Sequence, residues 1–287
     1  MTTAHKRNQM QTTLSDATSV PHKDLWHAMR DAFQDYAIPV NLTLAGFTFM
    51  MQQRGLHLGA SRVVMVNGKI AAIWLISVRD NKSYLISSGT VPKYHRRGLA
   101  KQLGQDALSG LRNKGVKSFQ TEVLVENAKA AGLYHELGMR TARNLPCYTV
   151  HAAPNASRHR VTETPWSTLS AIAPTLRDWV PSWQNSDLSV SAVSDSIRCF
   201  QSADHTGVTG YAVIAPGTTN LLQIGVRPDA RRQGIGTALV HHSIQAGLGA
   251  ELRLTNIDGS DIGFAHFMGK MGALETQGQY ELHMSLT

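Results

Sequence analysis

One pattern written twice constrains this 287-residue chain more than any other feature. An apolar, β-branched run ends at Pro92, passes through Lys93-Tyr94-His95-Arg96-Arg97-Gly98-Leu99-Ala100, and enters a stretch with Leu103, Ala107, Leu108 and Leu111 at helical spacing. A second run ends at Pro228, passes through Asp229-Ala230-Arg231-Arg232-Gln233-Gly234-Ile235-Gly236, and enters a stretch with Leu239, Ile244 and Leu248. Each is followed by a strand pattern (119–125 and 251–255) and by a helix pattern closed with glycine (127–137 before Gly138, 263–271 before Gly272). Gly98 and Gly234 are separated by almost the same interval as Gly138 and Gly272. That is an internal duplication, with a period far too long for a solenoid, so the repeating units are whole domains.

The segments upstream agree. Val63 to Val66, then Asn67-Gly68, then Ile70 to Ile76 spell a hairpin, because both turn residues tolerate the positive φ of a type I′ turn. Residues 83–91 predict the next strand. Helical material opens each half: Leu25, Met29 and Phe33 share a face over 22–36, Thr43 is placed to cap a short helix through Met51, and 166–180 take that part in the second half. In the second half, 197–201, 209–214 and 221–226 read as strands, with Pro216-Gly217 as a turn. The stretch 151–164 lacks apolar periodicity. The sequence therefore divides into a first domain at 1–152, a linker at 153–164 and a second domain at 165–287.

Hydrophobic residues make up 42% and charged residues 17%, which suits packed cores and excludes a wholly disordered chain. No apolar run approaches the roughly 18–20 residues of a membrane helix, and the basic start around Lys6-Arg7 has no apolar stretch behind it, so no secretory signal is expected. Cys147 and Cys199 are the two cysteines, too few for a disulfide framework or a cysteine-rich zinc site. The thirteen histidines form no metal pattern, and no metal is expected. These features point to a cytoplasmic protein. The net charge of +8 is uneven: residues 1–150 hold 19 Lys/Arg against 9 Asp/Glu, and 151–287 hold 9 against 11. A basic half suits an anionic small ligand; no dense basic helix or RNP-like stretch speaks for nucleic acid.

The two glycine loops specify that anion. A helix N-terminus leaves backbone N–H groups unpaired and pointing outward, with the positive end of the helix dipole behind them. Small residues let a phosphate approach, and flanking arginines add charge, so a diphosphate is the natural ligand. Neither loop carries the Gly-Lys-Ser/Thr of nucleotide hydrolases, and Leu239 stands where a dinucleotide fingerprint needs its third glycine.

With these residues in view, the strand, Pro, Arg/Gln-X-X-Gly-X-Gly/Ala and helix resemble motif A of the GNAT acyl-CoA N-acyltransferases. The stretch from Val125 through Asn127-Ala128-Lys129-Ala130 and Leu133-Tyr134 to Gly138-Met139 resembles their motif B. Together the motifs cover roughly residues 83–140. The resemblance implies an α+β chain of two tandem domains, each a mixed, mostly antiparallel sheet flanked by helices, with two central strands splayed to admit pantetheine. It implies contacts to coenzyme A from Thr90, Val91, Arg96, Arg97, Gly98, Leu99, Ala100, Lys101, Asn127 and Ala130. In the second half it implies Val226, Arg231, Arg232, Gln233, Gly234, Ile235, Gly236 and Thr237.

It also implies a mechanism. A neutral amine attacks the thioester, a backbone N–H near Thr90 and Val91 holds the oxyanion, and Tyr134 gives a proton to the departing thiolate. A phenol of pKa near ~10 can protonate a thiolate of about 8.5 when held against it. The base is less marked: Ser87 and Ser88 occupy the strand where such enzymes often place a glutamate, leaving Glu122 and Glu126 beside the next strand, of which Glu122 is taken. The first half departs from motif A at His95, where arginine or glutamine is usual. In the second half Asp261 stands where Asn127 does, Phe264 where Ala130 does, Phe267 where Leu133 does, and Met268 where Tyr134 does. A thioether cannot donate a proton, so the second domain is expected to be degenerate.

The resulting expectation is an acetyl-CoA-dependent N-acetyltransferase with its catalytic site in the first domain. The alternatives are a non-catalytic acyl-CoA sensor or scaffold, and activity in the second domain. The partner is a small-molecule or peptide amine, with no nucleic acid and no membrane, and the chain is a monomer or homodimer. Acceptor choice in the family rests on the first helices and terminal strands, here around Tyr36, Pro39, Phe47 and 146–148.

Overall fold

The computed structural model describes residues 11–34, 42–151, 159–215, 219–247 and 251–287. Tyr36, Pro39, the Pro216-Gly217 turn and Leu248 lie outside them, as do residues 153–158 of the stretch read as a linker. β1 (Thr12–Asp16) pairs with β2 (Arg62–Val66), and between them run α1 (His22–Ala32) and α2 (Leu44–Arg54). Thr43 caps α2 by accepting from the Gly46 amide at 3.0 Å. Asn67 and Gly68, at φ 50° and 75°, turn the chain into β3 (Lys69–Arg79), and Asp80 turns it into β4 (Lys82–Thr90). One 3₁₀ turn at Pro92–Tyr94 leads to α3 (Leu99–Asn113), then β5 (Ser118–Leu124), α4 (Ala128–Glu136) and β6 (Arg140–His151).

The second half repeats the order. β7 (Thr162–Thr164) lies inside the stretch read as a linker and pairs with β8 (Arg198–Asp204). Between them the opening helical material is broken into α5 (Trp166–Leu169), α6 (Ala173–Leu176) and α7 (Asp187–Ser191). Then come β9 (Gly207–Ile214), β10 (Asn220–Val226), α8 (Ile235–Ala246), β11 (Glu251–Leu254), α9 (Ile262–Lys270) and β12 (Leu274–Ser285). Both motif-B helices have the same cap: Asn127 accepts from Ala130 N at 3.1 Å, and Asp261 from Phe264 N at 2.8 Å.

The strands form one sheet in the order β1-β2-β3-β4-β5-β12-β6-β11-β10-β9-β8-β7. Among the described residues only β4–β5 and β10–β11 run parallel. The final strand of each half sits in the other half. β12 pairs with β5 from Gln279↔Leu124 to Ser285↔Ser118, β6 pairs with β11 from Glu251↔His151 to Leu254↔Tyr148, and β6 and β12 lie side by side. β6 is long despite Pro146 because the register shifts beside that residue, between the Cys147↔Thr276 and Leu145↔Gln279 pairs, where no ladder N–H is required. β12 alternates accordingly: Tyr280, Leu282 and Met284 pack into the first half's core with Trp74, Leu103, Phe119 and Tyr134 under α3 and α4.

On the opposite face, α1 and α2 bury Leu25, Phe47, Met51 and Tyr84, and Trp183 of the second half joins them. Its indole stacks on Tyr84 with centroids 5.3 Å apart. In the second half, Phe200, Leu239 and Met268 form the core beside α8 and α9. Among the described residues no helix is long and apolar enough to cross a membrane.

Because the halves exchange strands, they are expected to melt together. Leu282, fully buried in the first half's core, lies on the second half's last strand. Leu282→Ala should cost about 2–5 kcal/mol. Scanning calorimetry should show one transition, with calorimetric and van't Hoff enthalpies equal, moving down as a whole; two transitions, only one of them shifted, would contradict this.

Candidate active site

The parallel ladder between β4 and β5 holds for three residue pairs, Lys82↔Ser118 to Tyr84↔Gln120, and then the strands diverge. The register of β4 on β3 slips at the same place, since Ile76 faces Leu85 while Leu75 faces Ser87, leaving Ile86 as the extra residue. The second half does the same: β10 and β11 share two pairs, and Leu222 is the extra residue between Leu221 and Gln223. Each half thus contains a V-shaped opening, the splay expected of its central strands.

Backbone alternation aims groups into each V. Val91 N–H donates to Ala71 O at 2.9 Å and Arg227 N–H to Thr209 O at 2.8 Å. In an antiparallel pair the neighbouring residue points its N–H and C=O away from the partner strand, so those of Thr90 and Val226 turn from β3 and β9 toward the opening. The expectation for Val91 is thereby corrected: its amide is engaged by β3, and Thr90 offers the N–H. The two outward carbonyls are braced alike. His95 Nε2 donates to Thr90 O at 2.8 Å, and Arg231 Nε donates to Val226 O at 2.9 Å. His95, the departure from motif A, fills the structural place of Arg231.

At the V's mouth, each loop combines two left-handed residues, Arg96 (φ 60°) with Gly98 (φ 73°) and Arg232 (φ 62°) with Gly234 (φ 93°). A Cβ on Gly98 would meet nothing within 4 Å, so glycine is there for its dihedral and not for space. The first intrahelical bonds are Gln102 N–H to Gly98 O and Ala238 N–H to Gly234 O. The amides of Leu99, Ala100 and Lys101, and of Ile235, Gly236 and Thr237, therefore precede any helical acceptor, the geometry of an anion cradle. Arg96 and Arg97 are exposed beside the first cradle, with Arg97 over the Tyr94 ring at 5.5 Å. Lys101 is turned outward to Glu136 at 3.2 Å. Arg231 reaches Asp178 at 3.0 Å, the Gln233 carbonyl is held by His159 Nε2 at 2.6 Å, and Arg232 is exposed.

Two titratable side chains flank the first V on opposite sheet faces. Tyr134, 5% exposed on α4, places its hydroxyl 2.8 Å from Ser88 Oγ. Its ring lies edge-on to Trp74 at 6.2 Å. On the α2 side, Glu122 of β5 accepts the Tyr84 hydroxyl on Oε2, while Oε1 is buried with no hydrogen-bond partner. Burial raises the Glu122 carboxyl to about 7, against the Tyr84 hydrogen bond and the Arg54 charge, with Glu281 pushing the same way as burial. Burial and the adjoining Glu122 in turn push the Tyr84 phenol well up. Ser87 Oγ, also buried and unpartnered, lies on β4 next to Ser88. Tyr84 and Arg54 carried no motif; only the fold brings them to Glu122.

The second V keeps the frame and not these groups. Counting back from the loop glycines, Ile224 replaces Ser88, and counting back from Gly138 and Gly272, Met268 replaces Tyr134. Asn256 replaces Glu122, counting from the caps. Ile224 and Met268 belong to one apolar cluster. A cavity of about 750 Å³ nevertheless opens at this loop, lined by Trp179, Val226, Arg231, Gly234, Gly236, Thr237, Phe264 and Phe267 among others. Phe264 does not fill it; the ring packs edge-on against Trp179 at 4.9 Å. Among the described residues no group of three His, Cys, Asp or Glu is placed to hold a metal ion.

Comparison with known proteins bears on the family and the fold. The Acetyltransferase (GNAT) family model matches residues 22–139 and 159–272. Ribosomal protein bS18-alanine N-acetyltransferase of Escherichia coli strain K12 is 34% identical over 76 residues, 26% of this chain and 51% of that protein. The chain thus spans about half the length of the curated relatives it matches. A GCN5-related N-acetyltransferase from Sphaerobacter thermophilus shares the fold at 14% identity and TM-score 0.71, covering 96% of both chains. So does a tandem GNAT protein from the clavulanic acid biosynthesis pathway, at 12% identity and TM-score 0.69, covering 97% of this chain and 99% of that one. Matched in both of its halves, the chain belongs to the acetyltransferase (GNAT) family.

Proposed function

We propose that the chain is an acetyl-CoA-dependent N-acetyltransferase whose first half, within residues 1–152, transfers the acetyl group to a primary amine by direct attack, and whose second half, 165–287, is degenerate. The observation that carries this reading is the placement of Tyr134 and an unpartnered Glu122 oxygen on opposite faces of one strand opening. The loop amides 99–101 hold the diphosphate of the thioester substrate, with Arg96 and Arg97 adding charge. Glu122 Oε1 takes a proton from the attacking amine as the C–N bond forms, the Thr90 N–H faces the oxyanion, and Tyr134 protonates the sulfur as the C–S bond breaks. A carboxyl titrating near 7 is suited to that task. The activity of the bS18-alanine N-acetyltransferase makes a protein alanine amine the first acceptor to test, beside small amines.

The cavity at the second loop favours one additional reading, that the second half also binds acyl-CoA without transferring from it. Calorimetric titration with acetyl-CoA should then count two equivalents, one of them weakened about 5–30-fold by either Gly98→Ala or Gly234→Ala, since each substitution strains a left-handed position by roughly 1–2 kcal/mol. Turnover, followed by thiol release, should fall with Gly98→Ala. A fall confined to Gly234→Ala would move the catalytic site to the second half.

Tyr134→Phe should lower kcat about 10²-fold or more while changing KM for acetyl-CoA less than about twofold. In the native protein kcat/KM should rise as pH passes through about 7, because the unprotonated Glu122 is the active form; Glu122→Gln should be slow and lack that limb. The same substitution tests the burial. A carboxyl raised from 4.5 to about 7 on folding makes the native protein lose stability as pH rises across that window, on the order of 3 kcal/mol. Denaturation of Glu122→Gln should show no such loss.

A further inference from the structure

β12 belongs by sequence to the second half but lies between β5 and β6, so a single cross-strand row carries Glu122, Glu281 and Arg143. Directly opposed residues in antiparallel strands project to the same face, which here is the face of Tyr84 and α2. Glu281 is held at both oxygens. Arg143 donates to Oε2 from Nε at 3.1 Å and from Nη2 at 2.8 Å, and His283 Nε2 lies 2.6 Å from Oε1. Arg143 is itself fixed through Nη1, which reaches Asp258 Oδ2 at 2.8 Å and Val180 O at 2.8 Å. With its side chain 4% exposed and both oxygens paired, Glu281 is a fixed anion.

Glu122 has no such anchorage. The charged and titratable groups that bear on it are Tyr84 from β4, Arg54 from α2, Glu281 from β12 and Arg143 one strand further on β6. Arg54 is engaged elsewhere, with Gln184 and the Ile86 carbonyl. A fixed anion beside a second buried carboxyl disfavours that carboxyl's ionisation and so makes it hold a proton more tightly. We propose that the second half takes part in the first half's chemistry through Glu281, a positioning residue whose negative charge strengthens Glu122 as the acceptor of the amine's proton. The proposal rests on the reading of Glu122 as the base. It gives the strand exchange a chemical consequence: the charge that tunes one half's site is supplied by the other half's last strand.

The test uses the full chain with ¹³C-labelled glutamate carboxyls. The Glu122 resonance is assigned by its absence in Glu122→Gln and followed by NMR against pH without substrates, beside the pH profile of kcat/KM. Glu281→Gln should lower both the Glu122 midpoint and the acidic limb by about one pH unit, roughly tenfold in proton affinity. Glu281→Asp, which keeps the charge, should restore most of that shift. Arg143→Met removes the counter-cation and should move the midpoint the other way, so a failure of Glu281→Gln to fold still leaves a decisive variant. An unmoved Glu122 midpoint in whichever of these two variants folds overturns the proposal and reduces Glu281 to a structural ion pair. Full turnover by Glu122→Gln would instead remove the base assignment, and the proposal with it, whatever the resonance does.

Discussion

The interruption of the β4–β5 ladder after Tyr84↔Gln120 is the feature on which the rest of the site depends. A continuous parallel ladder would consume the N–H and C=O groups of β4 up to Thr90 and would close the opening between β4 and β5. The extra residue at Ile86 re-phases β4, so Tyr84 points to the α2 side and Ser88 to Tyr134 on the α4 side. Glycine at position 89 then allows α1 to press on the strand, since a Cβ there would lie 2.7 Å from that of Ala32. The outward amide of Thr90 and the opposite facing of Tyr84 and Ser88 are consequences of one bulge.

The second half shows which parts of this arrangement belong to the fold and which to chemistry. Leu222 repeats the bulge, Gly225 repeats the close approach, now against the Leu176 carbonyl, and Arg231 repeats the brace of His95. All of these concern backbone and would be costly to lose. The counterparts of Ser88, Tyr134 and Glu122 are Ile224, Met268 and Asn256. Replacing Ser88 and Tyr134 by Ile224 and Met268 exchanges a hydrogen-bonded pair for an apolar pair and leaves no buried donor unmatched, a change that costs little stability. On the α6–α7 side a buried network instead joins Arg177, Asp187, Tyr211 and Gln223. Replacement of the polar pair and retention of an open loop cavity are therefore compatible in one half.

Much of this frame was legible in the sequence because it rests on local signals. The Asn67-Gly68 turn, the Thr43 cap and the Pro-to-glycine loops are decided within a few residues of chain, and each lies where pattern and spacing put it. What escaped is non-local. β6 carries Arg140, Arg143, Asn144 and Pro146, which no strand periodicity would select, and it is a strand because β11 and β12 lie on either side. Exchange of the final strands leaves no mark in either repeat, since each half supplies the same kind of strand wherever it docks. Glu122 was visible as a carboxyl near a strand end. Its burial and its pairing with Tyr84 were not, because they depend on Trp183 and β12, both distant in sequence.

That dependence explains why the halves cannot be regarded as independent domains placed side by side. Without β12, β5 would be a sheet edge beyond its three pairs with β4, and edges are where water reaches backbone and side chains. Without Trp183, Tyr84 would lose the ring stacked on it and the shelter of that face. A Glu122 reached by water would ionise in the ordinary carboxylate range, because its rise to about 7 comes first from burial. The second half can therefore carry no counterpart of Tyr134 or Glu122 and still shape the surroundings of both. It supplies the low-dielectric surroundings that raise a single carboxyl to about 7.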